Sequence, residues 1–225
     1  MINKLRALFT IIQMAITISL VIIFMYIFKN HKKKVRHIWA SLQMKLLGIT
    51  LDIEGKLDKE SQMLIINHQS VLDIVLFEYL DRRDLAWISK KEIGDIPWFG
   101  QILKLPNMIA VERESKKSLI KLLKDVKDRL EDNRPIAIFP EGTRTDGKSL
   151  RKFKSGAKVI ANKYKMKVQP VVVVGTRHIL DSQNLKQNSG TIKVRYLPLV
   201  DVTQDEDWFS KVEDDMKKVL EKELT

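Results

Sequence analysis

The chain has no cysteine. That absence excludes disulfides, thiolate metal sites and a cysteine nucleophile, and it fits a reducing compartment. No metal-ligand spacing occurs among its four histidines and its acids. There is no internal repeat, and no low-complexity linker after residue 48. Acidic residues are missing from one long stretch: none lies between Asp146 and Asp181. Lys148, Arg151, Lys152, Lys154, Lys158, Lys163, Lys165, Lys167 and Arg177 all fall there. Aromatics are sparse in it too, only Phe153 and Tyr164, which argues against a nucleic-acid partner that stacks its bases. Charge of either sign is absent from Ala7 to Phe28.

What is present sets the class. At 225 residues, 44% hydrophobic and 30% charged, the chain can bury one sizeable core and is not a disordered polymer. A net charge of +12 calls for an anionic partner, either a membrane surface or a phosphorylated substrate. As a helix, Ala7–Phe28 reaches about 33 Å, enough for a hydrocarbon core of about 30 Å. It is too long for the apolar core of a signal peptide, and no small-x-small cleavage site follows it. Lys29, Lys32, Lys33, Lys34 and Arg36 follow instead. They place what comes after on the cytoplasmic face and attract anionic lipid. Thr10, Gln13, Thr17 and Ser19 also permit a helix lying in one leaflet. Val35–Leu47 reads as a second, amphipathic helix, with Ile38, Leu42 and Leu46 on one face and Trp39 suited to the interface. Residues 1–48 therefore read as a two-helix membrane anchor, and 49–225 as the catalytic domain.

The chemistry starts at residue 67. Met63–Ile66 is a short apolar run that reads as a buried strand. Val71–Phe77 is longer and Leu-rich, and it opens a helix. His68 sits between them, and Asp73 follows in the helix's first turn. An imidazole beside a carboxylate is the minimal general-base pair: the acid sets the tautomer and stabilises the imidazolium. Ser70-x-x-Asp73 also fits a capping box.

A second apolar run, Ile136–Ile138, leads into Phe139-Pro140-Glu141-Gly142-Thr143-Arg144. A histidine, four residues and an aspartate, followed by Phe-Pro-Glu-Gly-Thr-Arg, resembles the glycerolipid acyltransferase family. Two looser blocks agree. Lys90-Lys91-Glu92-Ile93 precedes Pro97 and Gly100, and Ile109–Arg113 reads as a strand ending in arginine. Val168–Val174 is an apolar strand containing Pro170. The four blocks cover roughly residues 60 to 175, in the family's order.

The resemblance implies a mixed, largely parallel α/β sheet flanked by helices. It implies transfer of a fatty acyl group from acyl-CoA or acyl-carrier protein to the sn-2 hydroxyl of lysophosphatidic acid, making phosphatidic acid. It places Arg113 on the substrate phosphate, and Glu141, Gly142, Thr143, Arg144 and Lys91 at the substrate site. Arg144 can fork onto a phosphate with two charge-assisted hydrogen bonds. No cofactor or metal is implied. Glycerol 3-phosphate or another lysophospholipid is the alternative acceptor.

A competitor overlaps the same loop. Gly142 to Ser149 matches the P-loop pattern G-x-x-x-x-G-K-S/T, between a strand and a helix. Against a nucleotidase, Pro140-Glu141 separates the strand from the first glycine, and Arg151, Lys152 and Lys154 crowd the helix start. The remaining expectations are structural. They are a half-exposed strand at 49–53, a strand at 85–89, a short helix starting at Pro97, and a helix at 115–131 capped by Ser115. Beyond those come a helix at 155–164, a bulge or strand start at Pro170, an outer strand at 191–197 and an amphipathic helix at 205–224. His31, His37 and His178 read as surface residues, His178 in a loop.

Overall fold

The computed structural model describes residues 2–112 and 116–225. Arg113 and Ser115 lie outside the described residues. The chain opens with helices α1 (Ile2–Ile27) and α2 (Lys32–Leu46), then strands β1 (Thr50–Glu54) and β2 (Met63–Ile66). Helix α3 (Leu72–Leu80) and strand β3 (Ala86–Lys90) follow, then short helices α4 (Lys91–Asp95) and α5 (Gln101–Lys104). Next come β4 (Ile109–Val111), α6 (Lys116–Glu131), β5 (Ile136–Ile138), α7 (Gly156–Tyr164) and β6 (Lys167–Val174). A short helix α8 (Thr176–Ile179) leads into β7 (Leu180–Asp181) and β8 (Lys186–Gln187). Strands β9 (Thr191–Tyr196) and β10 (Val200–Asp201) and helix α9 (Trp208–Leu224) close the chain.

The main sheet runs β1-β9-β6-β2-β5-β3-β4, with β10 also on β6. Strands β6, β2, β5, β3 and β4 are mutually parallel, and β9 joins β6 antiparallel. It is the mixed, largely parallel sheet that the resemblance implies. Alternation along β2 sends Met63 and Ile65 to one face and Leu64 and Ile66 to the other. The first pair packs beneath α6, α7 and α9, with Trp208 and Met216. The second packs beneath α2 and α3, with Ala40, Met44 and Phe77. Helix α2 is thus one layer of the same core that holds β2, although it belongs to the segment read as an anchor.

Several local expectations change. The strand at 191–197 is not outermost, because β1 pairs outside it in parallel register. Pro170 makes neither a bulge nor a strand start; β6 runs through it. Its carbonyl accepts from Leu197 N–H, so its ring nitrogen faces the same side. On that side β9 pairs with Val171–Val174 and β10 with Lys167–Val168. Proline sits at the break between two partner strands, where no donor is needed. Pro97 starts no helix: Ile96–Gly100 is a turn, Trp98 is left-handed at φ 63°, and α5 begins at Gln101. Trp98 reaches α1 instead, donating to Ser19 Oγ at 3.0 Å. His178 lies in α8 rather than a loop, and His37 is half-buried, its ring on Tyr79 and its Nδ1 3.0 Å from Glu78 O.

Helix α1 is the one described helix long and apolar enough to cross a membrane. Lys4 and Arg6 are exposed, but its uncharged polar groups turn toward the protein. Thr10 donates to Gln187, Thr17 Oγ1 accepts from Trp39 and Gln43, and Asn3 donates to Asn188. Met14, Val21, Ile22 and Met25 pack inward, while Leu5, Phe9, Ile16 and Ile27 form an apolar outer face. That is the reverse of a helix on a water-facing surface.

Candidate active site

The site forms where β2, β5 and β6 end. Parallel strands bring their C-terminal ends to one edge, the usual place for ligands in open α/β sheets. His68 follows β2, Phe139–Thr145 follows β5, and Thr176 follows β6.

His68 Nδ1 lies 2.7 Å from Asp73 Oδ2. Asp73 is fully buried, and its Oδ2 also accepts from the backbone N–H of Gln69 (2.7 Å) and Ser70 (2.9 Å). Thr176 Oγ1 donates to its Oδ1. Donors from two parts of the chain converge on one carboxylate, as an acceptor-only ionised group requires. In the tautomer that donates from Nδ1 to this carboxylate, Nε2 presents its lone pair. The capping box is half made by the same atoms. Asp73 accepts from Ser70 N–H, but Ser70 Oγ donates to Leu180 O and accepts only from Leu72 N–H, at 3.3 Å. The capping and catalytic geometries share one carboxylate rather than exclude each other.

The imidazole is held on its face as well. Phe139 stacks on it at 3.9 Å between centroids with 12° between planes. Its side chain is 13% exposed. Beneath, the Asn67 amide pairs both ways with the backbone of Val173, at 2.8 and 2.7 Å, and Gln69 donates to Val173 O at 2.9 Å. These side chains extend the β2–β6 ladder past the end of β2. Gly175, at φ 99°, turns the chain from β6 into α8; a Cβ there would meet Thr191 O at 2.6 Å.

Glu141 is only 2% exposed. Its Oε1 accepts from His68 N–H at 2.7 Å and its Oε2 from Arg151 N–H at 2.8 Å. Both oxygens are thus used on backbone, whereas the resemblance implies a substrate contact. Burial pushes its carboxyl up to about 7; the two N–H donors oppose this and Asp73's charge adds to it. Thr145 N–H donates to His68 O at 2.8 Å and Lys154 N–H to Pro140 O at 2.9 Å. The 139–154 loop is therefore tied to the His68 loop at Glu141 and Thr145, and closed on itself by Lys154 and Pro140.

The other expected site residues differ in how they are held. Arg144 is half-exposed and makes no ion pair or hydrogen bond among the described residues, although the next residue, Thr145, is bonded to His68. Thr143 is exposed, and Gly142 is left-handed at φ 71° with its N–H on Phe139 O. Lys91 is exposed at the end of β3, 3.7 Å from Glu112 and 3.9 Å from Asp95. Among the described residues, Lys148, Arg151, Lys152, Lys154 and Lys158 make no ion pair.

The P-loop match does not survive. Gly147 N–H donates to Thr145 Oγ1 and Lys148 N–H to Asp146 Oδ1, and α7 begins only at Gly156. The backbone donors that would cradle phosphates are spent within the loop, and no helix N-terminus follows them.

Sequence reasoning did not find Thr176, Asn67 or Gln69, or the stacking role of Phe139. The available signal was position: each lies within a few residues of the C-terminal end of a parallel strand.

A family model described as acyltransferase matches residues 48–174. A 1-acyl-sn-glycerol-3-phosphate acyltransferase of Helicobacter pylori is 36% identical over 221 residues, 96% of this chain and 92% of that protein. One of Cocos nucifera is 31% identical over 174 residues, 76% of this chain and 56% of that protein. The crystal structure of a 1-acyl-sn-glycerophosphate acyltransferase from Thermotoga maritima matches the fold. Its TM-score is 0.71 at 21% identity, covering 92% of this chain and 95% of that one.

The raised carboxyl of Glu141 has a measurable consequence. The folded state holds its proton between the ordinary carboxylate range and about 7, so its stabilising contribution is full at low pH. It is lost as pH rises through about 7. The urea midpoint should decline across this window in the wild type and decline less in Glu141→Gln. An equal slope in both proteins contradicts the assignment.

Proposed function

The chain belongs to the acyltransferase family, and from that premise we propose that it transfers a fatty acyl group from a thioester donor to lysophosphatidic acid. The product is phosphatidic acid. The observation that carries the reading is the 2.7 Å contact between His68 Nδ1 and a fully buried Asp73. It leaves Nε2 as the base. The acceptor comes from the relatives' names.

In this mechanism Nε2 takes the proton of the sn-2 hydroxyl as its oxygen attacks the thioester carbonyl. Asp73 stabilises the imidazolium. Collapse of the tetrahedral intermediate breaks the carbon–sulfur bond, and the imidazolium returns its proton to the departing thiolate. Arg144, free of protein partners among the described residues, and Arg113 hold the acceptor's phosphate. Lys91, Gly142 and Thr143 line the same edge. Glu141 braces the His68 backbone rather than touching substrate. The donor is acyl-CoA or acyl-carrier protein, both carrying the reactive thioester.

Acyl transfer to lysophosphatidic acid should form phosphatidic acid in membranes carrying this protein. His68→Ala should lose activity by about 10²–10⁴-fold, while Lys148→Ala should keep most of it. Arg144→Ala should raise KM for the acceptor by about ten- to a hundredfold, the worth of one or two charge-assisted bonds. Turnover by His68→Ala at the wild-type rate would sink the mechanism. Turnover with glycerol 3-phosphate or another lysophospholipid, but not lysophosphatidic acid, would replace the acceptor.

Residues 1–48 act as the membrane anchor, with the catalytic domain on the cytoplasmic face. Polar contacts tie α1 to the domain at Asn3, Thr10 and Ser19, and to α2 at Thr17. A helix held along its length against the domain favours burial in one leaflet over crossing the bilayer. The absence of native cysteine makes this testable. With Asn3→Cys and Asn30→Cys, an impermeant maleimide on the cytoplasmic side should label both positions. Labelling of Asn30→Cys alone means that α1 crosses.

A further inference from the structure

A line of contacts joins α2 to the site, and nothing in the acyl-transfer mechanism uses it. Arg36 of α2 is 4% exposed. Its Nε lies 3.3 Å from Glu78 Oε2, a charge contact, and its Nη2 is 2.6 Å from Asp84 Oδ1. Glu78, buried in α3, accepts at Oε1 from Trp87 Nε1 at 2.8 Å. The Trp87 ring stacks on Phe139, 5.3 Å between centroids and 23° between planes. Phe139 in turn covers the face of the His68 imidazole.

Each group is needed by the next. Asp73 holds the imidazole at one atom, Nδ1, which leaves the tilt of the ring about its side-chain torsions only partly fixed. Phe139 blocks that tilt from one face. Phe139 has no polar group to anchor it, and Trp87 backs it. Trp87 does have an anchor, its indole N–H, which must find an acceptor when buried. Glu78 is that acceptor. Burial pushes the Glu78 carboxyl up, and the charge of Arg36 opposes this. Such a carboxylate is kept at a cost that an apolar residue in α3 would not incur.

We infer that Glu78 and Trp87 are positioning residues that hold the plane of the His68 imidazole through Phe139, and that Arg36 couples this alignment to the seating of helix α2. The inference rests on His68 being the base. It makes the anchor segment part of the catalytic geometry: how α2 sits on α3 decides how the imidazole faces the hydroxyl. A small misplacement of a reacting group is worth up to about a hundredfold in rate.

The experiment uses the full chain in lipid–detergent micelles with ¹³C-labelled histidine, whose four ring signals are assigned by substitution. An aromatic ring stacked on His68 shifts its ring protons upfield. Trp87→Phe keeps an aromatic ring but removes the N–H, and Glu78→Leu removes the acceptor. Each should lower kcat by about tenfold, leave KM for lysophosphatidic acid nearly unchanged, and move the His68 signals downfield. Arg36→Met should do the same to a smaller extent. Glu78→Gln keeps an acceptor for the indole and should restore most of kcat and the His68 shift. A folded Trp87→Phe with wild-type kcat and unmoved His68 signals overturns the inference, even if Glu78→Leu fails to fold. A rise in KM with kcat unchanged overturns it equally. An active His68→Ala instead removes the base assignment on which the inference stands, and that control is run beside the others.

Discussion

A single carboxylate with no access to water governs this structure. Asp73 is buried in the first turn of α3, where an unpaired charge would cost several kcal/mol, by the usual order of magnitude for such groups. It is tolerated because the His68 ring, two backbone N–H groups and the Thr176 hydroxyl all donate to it. Three of those donors come from the loop after β2. The fourth comes from beyond β6, and it arrives only because β2 and β6 pair in parallel register and Gly175 turns the chain back. Asn67, bonded to both the N–H and the C=O of Val173, keeps that register up to the edge of the site.

The six-residue block after β5 divides its work in a way its contiguity hides. Phe139 packs flat on the imidazole, Glu141 is sunk inward onto two backbone N–H groups, and Arg144 is left without a protein partner among the described residues. One short loop supplies a wall, a brace and a free guanidinium. Lysines and arginines follow it along the same loop with no acid among them after Asp146, a run of charge of one sign suited to a phosphate. The glycine–lysine–serine pattern in the same loop illustrates how little a letter pattern says alone. Its amides are turned onto Thr145 and Asp146, and no helix begins where a nucleotide would need one.

Helix α1 inverts the usual arrangement of a surface helix. Its hydroxyls and amides meet α2 and the domain, and beside a buried stripe of Met14, Val21, Ile22 and Met25 it keeps a broad outward face that includes Leu5, Phe9, Ile16 and Ile27. Such a face is stable only where the surroundings are as apolar as the side chains. A lipid acceptor need not be drawn into water if the base is held close to the bilayer that contains it. The packing of α2 into the core over β2 joins that apolar helix to the strand that carries His68.

Much of this was legible in the residues because it is local. The runs at 63–66, 136–138 and 168–174 are short, mostly apolar and rich in β-branched residues, as buried strands are. The uncharged run at 7–28 is a helix, and the spacing of His68 and Asp73 already puts an imidazole within reach of a carboxylate. Pairing across the chain was not legible. Periodicity does not say that β1 covers β9, that Pro170 falls at the break between β9 and β10, or that Trp98 reaches back to Ser19. Nor does a motif say which way its carboxylate points. The resemblance puts Glu141 at the substrate site; that its oxygens accept the His68 and Arg151 amides was not legible, because only the folded loop brings those amides to it. Local pattern singled out the candidate residues. Long-range register decided which of them touch one another, since hydrogen-bond partners distant in sequence are chosen by the sheet and not by the neighbours along the chain.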